Sequence, residues 1–132
     1  MLSNLDYAVR GGRIPKWVKI AAEWTRLTPI IRTTAAGKIT QSGYIVGKSD
    51  LIAKFAQHIE RRVRGDRPVV VAVGHAMSPE SAAELGRLLK QTIPNIRRLS
   101  VAELGTALGV HGGPGTLVIA TQPYVTPADF AG

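Results

Sequence analysis

The sequence predicts an α/β domain, and three observations carry that reading. Residues 69–101 read as strand, helix, strand: the continuous apolar run VVVAV opens them, and IRRLSV closes them. Residues 29–46 read as a hairpin, PIIRTT and ITQSGYIV joined by a short AAGK turn. Between the two units lies an amphipathic helix in which Ile52, Phe55, Ala56, Ile59 and Val63 recur at helical spacing. Strand–helix–strand units put their strands parallel with a right-handed crossover, so a parallel pair is expected within the sheet.

Taken in order, SNLDYAVRGG gives a short helix with Ser3 or Asn4 as its cap and Gly11 or Gly12 as its stop. IPKWVKIAAEWTRL follows as a helix with Pro15 in its first turn and Ile14, Val18, Ala21 and Ala22 on one face. Its tryptophans, Trp17 and Trp24, lie seven apart on a neighbouring face and are expected to pack within the fold. Gly43 marks a kink or bulge in the second hairpin strand. Ser49 or Asp50 caps the amphipathic helix and Gly65 stops it; its outer face carries Lys54, His58, Arg61 and Arg62, with Arg64 and Arg67 beyond. Cations in a last helical turn suit the helix dipole, which is sufficient reason for that cluster. In the strand–helix–strand unit, Ser78, Pro79 and Glu80 supply a cap, a first-turn proline and an acid, and Ala82, Leu85, Leu88 and Leu89 form the buried stripe. VAELGTALGV reads as a last short helix and TLVIATQ as a last strand, leaving residues 124–132 as a loose tail.

Composition narrows the function. At 132 residues the chain is one domain of ordinary size, able to bury a core without staples. It has no cysteine, which excludes disulfides, thiolate metal sites and cysteine nucleophiles and agrees with a cytoplasmic setting. No apolar run approaches the roughly 20 residues needed to span a bilayer, so no membrane insertion is expected. Lys and Arg number 17 against 9 Asp and Glu, and all the surplus falls in residues 1–68. That asymmetry suits an anionic partner as well as a solvated basic face. A nucleic-acid partner is disfavoured, because the basic region has no interleaved stacking aromatics and no known motif.

The catalytic classes find little support. His58, His75 and His111 have no metal-ligand spacing, there is neither a GxSxG elbow nor a phosphate-cradling GxxxxGK[ST], and the acids are scattered. No cofactor motif is present. His75 follows a strand and precedes a helix, where open α/β sheets place ligands, although an ordinary polar loop residue is the better reading there. The stretch GVHGGPGT, residues 109–116, sets His111 among four glycines and a proline. Such a loop can bare backbone N–H groups to an anion while the imidazole donates one more bond; a structural turn is the alternative. GGRI, Gly11 to Ile14, poses the same choice for Arg13, whose fork suits a carboxylate or phosphate.

In combination, LDYAVRGGRI, TPIIRT, the GK turn, a basic helix, VVVAVGHA, a helix beginning SPE and LGVHGGPGT resemble the C-terminal half of the DegV family of bacterial fatty-acid-binding proteins, over residues 2 to about 120. The resemblance implies a two-layer α/β domain with a mixed five- or six-stranded sheet and helices mainly on one face. It implies a non-catalytic domain that binds a long-chain fatty acid and presents the acyl carboxylate to a partner fatty-acid kinase, with a separate N-terminal domain completing the site. Under it, residues 1–132 are a single C-terminal domain of a longer protein. His111 matches the carboxylate-holding histidine; Gly113, Pro114, Gly115 and Thr116 match its supporting loop, and Arg13 matches the basic surface near the carboxylate. The family's threonine after the histidine is Gly112 here, and its Lys/Arg pair before the basic helix is replaced by Tyr44 and Val46, with Lys48 nearby. A docking or regulatory domain of a dihydroxyacetone-kinase-like multidomain protein is the alternative on the same fold.

Overall fold

The computed structural model describes residues 1–2, 5–12, 15, 20, 24–63, 65–126 and 129. Over these the chain runs α1 (Leu5–Arg10), β1 (Leu27–Thr33), β2 (Ile39–Val46), α2 (Leu51–Val63), β3 (Val69–His75), α3 (Pro79–Thr92), β4 (Ile96–Glu103), α4 (Thr106–Gly112) and β5 (Leu117–Pro123). The fold is mixed α/β, as expected. Its five described strands are shared between two hydrogen-bonded sheets, an antiparallel β1–β2 ribbon and a three-stranded sheet in the order β4-β3-β5. β3 is central, parallel to β4 and antiparallel to β5, so the sheet is mixed.

β3 opens with the apolar run Val69–Val73, whose inner face carries Val71 and Val73, both essentially inaccessible, under the helical layer. The opposite face is open at Ala72. α2 and α3 pack side by side on the inner face, and Phe55, Ala56, Ala82, Leu85 and Leu89 meet β3 and Leu117 in one core. Gly86 lets α3 approach β4: a Cβ there would stand 3.1 Å from Leu99 Cδ2. Ile30 and Ile45 join the ribbon to the same core. Leu85 has no exposed surface, so Leu85→Ala is expected to lower unfolding free energy by about 3 kcal/mol in a denaturant titration.

The ribbon bulges where expected. Ile30 pairs with Gly43 while Ile31 pairs with Gln41, leaving Ser42 as the extra residue. Beside the bulge, His58 on α2 takes the space of a side chain on Gly43: its Cε1 would stand 3.0 Å from a Cβ there.

Several expectations change. The helix expected over residues 14–27 lies mostly outside the described residues, as do Trp17, Arg64 and the Ser3 or Asn4 cap; β1 begins at Leu27 rather than Pro29. Trp24 does not pack within the fold: it is 88% exposed. Ser78 stands at the N-cap of α3 without a side-chain cap bond, because its hydroxyl donates to Ala76 O instead. β4 continues to Glu103, so the last helix starts at Thr106 and reaches Gly112, later than VAELGTALGV suggested.

Candidate functional site

The shift of α4 changes the meaning of GVHGGPGT. Gly109 to Gly112 are helix, and only residues 113–116 form the turn. His111 therefore sits in the last turn of a helix, half-buried. α4 packs against α1. The imidazole lies on the end of α1: a Cβ on Gly11 would stand 2.5 Å from His111 Nδ1 and 3.1 Å from Cε1. Gly11 closes α1 by donating to Tyr7 O at 2.9 Å, and Gly12 donates to Val9 O with a φ of 67°, a conformation suited to glycine. The two glycine motifs, about a hundred residues apart in sequence, thus meet in space, and the meeting point is the histidine.

Tyr7 completes this junction. Its ring occupies the space that a side chain on Gly113 would need, with Tyr7 Cγ 2.7 Å from the Cβ position. Gly113 has φ 74° and ψ 172°, a backbone region open essentially to glycine alone. Gly112 is matched to Thr116 in the same way: the Thr116 Cγ2 and Oγ1 would both stand 2.9 Å from its Cβ. The position that carries threonine in the DegV pattern has no room for one here because Thr116 fills it.

Among the described residues the loop's own donors are committed within the fold. Gly113 N–H donates to Gly109 O at 2.8 Å, Gly115 N–H to Ala76 O at 2.8 Å, and Thr116 N–H to Gly113 O at 3.3 Å. The buried Thr116 hydroxyl donates to Gly112 O at 2.7 Å. The loop is thus not an open cradle of N–H groups. It is a closed turn that follows the helix carrying His111, whose imidazole has the chemistry to meet an anion. Gly113 adjoins the same junction through Tyr7, Gly115 and Thr116 are tied to Ala76 and to Gly112 and Gly113, and Arg13 lies outside the described residues. Gly115 also borders a groove of about 440 Å³ whose walls include Met1, Leu51, Ile52, Leu117 and Lys48.

The basic cluster on α2 is a seam between α2 and β2. Lys54 Nζ donates to Val46 O and Ser49 O, each at 3.0 Å. Arg62 donates from Nε to His58 Nε2 at 3.0 Å and from Nη2 to Ser42 O at 3.1 Å, and Arg61 Nε donates to Gln57 O at 3.2 Å. Ser42 Oγ stands 3.1 Å from the same His58 nitrogen. Burial, then the charges of Arg62 and Arg61, hold His58 below the ordinary imidazole pKa. Lys54 and Arg62 stitch the ribbon to the helix, a role beyond the helix-dipole one their positions suggested. No group of three or more metal-ligating side chains occurs among the described residues, and none of their helices is long and apolar enough to cross a membrane.

Compared with protein families, the chain matches the DegV family, described as an uncharacterised protein family, over residues 1–123. The chain belongs to the DegV family. A DegV domain-containing protein of Streptomyces coelicolor is 31% identical over 116 residues, covering 88% of this chain and 41% of the relative. One from Clostridium perfringens is 30% identical over 124 residues, covering 94% and 43%. The chain therefore spans less than half the length of these DegV relatives. Among solved structures, a DegV family protein from Corynebacterium glutamicum superposes with a TM-score of 0.74 at 25% identity, over 95% of this chain and 46% of that one. A fatty-acid-binding DegV family protein from Streptococcus agalactiae gives 0.76 at 19% identity, over 94% and 43%. A stearic-acid-binding protein from Eubacterium ventriosum gives 0.70 at 24% identity, over 91% and 42%. These neighbours share the DegV fold with the chain.

Sequence reasoning missed the partners of His111. Neither Tyr7 nor Gly11 was a candidate, yet the signal was present. Gly11, Gly112 and Gly113 each stand where a neighbouring side chain (His111, Thr116 and Tyr7 in turn) takes the Cβ space, so the surplus of glycine recorded close packing as well as turning.

Proposed function

We propose that this domain binds a long-chain fatty acid and that His111 holds the acyl carboxylate. The observation that carries the reading is the seating of the His111 imidazole on Gly11: it joins the two glycine motifs at one point, in a chain of the DegV family whose structural neighbours include proteins described as binding fatty acids. An imidazole fixed by a packed junction donates a directional hydrogen bond to a carboxylate at little ordering cost. The three backbone donors and the Thr116 hydroxyl are not needed for the ligand; they hold the loop that follows His111. The role is binding and not catalysis. Transfer of a phosphoryl group to the carboxylate falls to a partner kinase, and the rest of the carboxylate site to a second α/β domain of the longer DegV architecture. Arg13, which lies outside the described residues, is assigned to the basic surface near the carboxylate by the DegV resemblance alone.

Native mass spectrometry of the full-length parent protein equilibrated with stearate tests this. A retained acyl chain is expected, and His111→Ala should weaken retention by about tenfold, the worth of one hydrogen bond to a charged group. Equal retention by the variant would return GVHGGPGT to the role of a turn.

A further inference from the structure

His75 is a buried titratable side chain that the proposed site does not use; it is 8% exposed at the end of β3. Three links tie it to the segment that carries His111. Its carbonyl accepts Leu104 N–H at 2.8 Å, at the entry to α4. The next residue, Ala76, donates to Thr116 O at 3.0 Å and accepts Gly115 N–H at 2.8 Å, at the exit. Beneath them Gly74 admits Leu104, whose Cδ2 would stand 2.5 Å from a Cβ at that position. The end of β3 thus grips residues 104–116 at both ends. The corner that makes the grip possible is closed by the imidazole itself: Nδ1 accepts Ser78 N–H at 3.4 Å, across Met77 with its φ of 50°. A non-glycine residue in that conformation persists only where its surroundings hold it.

We propose that His75 is a positioning residue for His111, fixing the 75–78 corner so that Ala76 can hold the loop behind the ligand-facing imidazole. What His111 binds rests on the fatty-acid reading above; where His111 is held does not. The arrangement requires an unprotonated Nδ1 on neutral His75, with the proton on Nε2, because Nδ1 must accept.

Nitrogen-detected NMR of the imidazoles in the intact chain reads that tautomer directly, and a proton on Nδ1 of the neutral ring would overturn the proposal. His75→Leu removes the acceptor and is expected to move the amide resonances of Leu104, Gly113 and Gly115 and the ring resonances of His111. It should weaken stearate binding by about tenfold, whereas His75→Asn, whose Oδ1 can accept in place of Nδ1, should stay within about threefold of the parent. Shifts confined to residues 75–78, or an asparagine variant as impaired as the leucine one, would contradict it. Should His75→Leu not fold, the tautomer and the asparagine variant decide. A parent chain that binds no stearate would defeat the fatty-acid reading, while the tautomer and the shifts at residues 104–116 would still judge this one.

Discussion

Replacing Gly113 with alanine should destabilise the protein by roughly 2–5 kcal/mol, combining the strain of a positive φ with overpacking. The added methyl meets the Tyr7 ring, and the backbone at φ 74° and ψ 172° suits glycine alone. A plain turn glycine in open space, such as Gly37, offers the control: its φ is 73°, and nothing lies within 4 Å of its Cβ position. Gly37→Ala should incur the backbone strain but not the collision. Chemical denaturation compares the two variants, and a Gly113→Ala loss no larger than that of Gly37→Ala would mean that the Tyr7 contact is not tight. The same variant should impair fatty-acid retention, because Tyr7, Gly113 and His111 form one junction.

In the 132-residue chain on its own, with a free amine on Met1, lowering the pH from 8 to 5 is expected to remove about 3 kcal/mol of stability, since each unit of pKa shift carries about 1.36 kcal/mol and the group is half-titrated at both limits. The source is the Met1 amine. It is buried, donates to Leu117 O at 2.8 Å, and burial lowers its pKa from 8.0 to about 5. Between those values the unfolded chain binds a proton that the folded chain does not, so stability is greatest above pH 8 and declines as the pH falls towards 5. His58, also held below its ordinary value, adds in the same direction once the pH falls below 6.5. Urea titrations across this range check the slope. An Nα-acetylated chain should lose most of it, and a free-amine chain equally stable at pH 8 and pH 5 would show that the amine is solvated. Met1 is tied to β5 in both directions, since its carbonyl accepts Leu117 N–H at 3.2 Å.

The sequence was most informative where periodicity and burial coincide. α2 and α3 bury the stripes their spacing indicates, and the strand–helix–strand unit is parallel as its length required. The bulge beside Gly43 was visible as a glycine in a strand, though the packing of His58 from another element against that glycine was not. Local patterning could not end α4 correctly. Gly109 looked like the start of a loop, but α1 and the end of β3 hold this segment helical through Gly112, so tertiary contacts outweigh a low intrinsic propensity. The site was half legible for a related reason. His111 stands out by its setting, but a loop rich in N–H groups can either bind an anion or bind its own chain. The choice depends on Ala76 and Gly109, which sequence does not place beside it.

The central claim is that GGRI and GVHGGPGT form one carboxylate site with His111 at its centre. Titrating the protein with stearate, and in parallel with octadecanol, while following the His111 ring and the Gly11 and Gly113 amides by NMR tests it most directly. The account predicts that stearate moves all three together and that the alcohol, with the same chain but no charge, moves them far less. Equal responses to acid and alcohol, or stearate shifts centred on His58 and Arg62 with His111 unmoved, would contradict it.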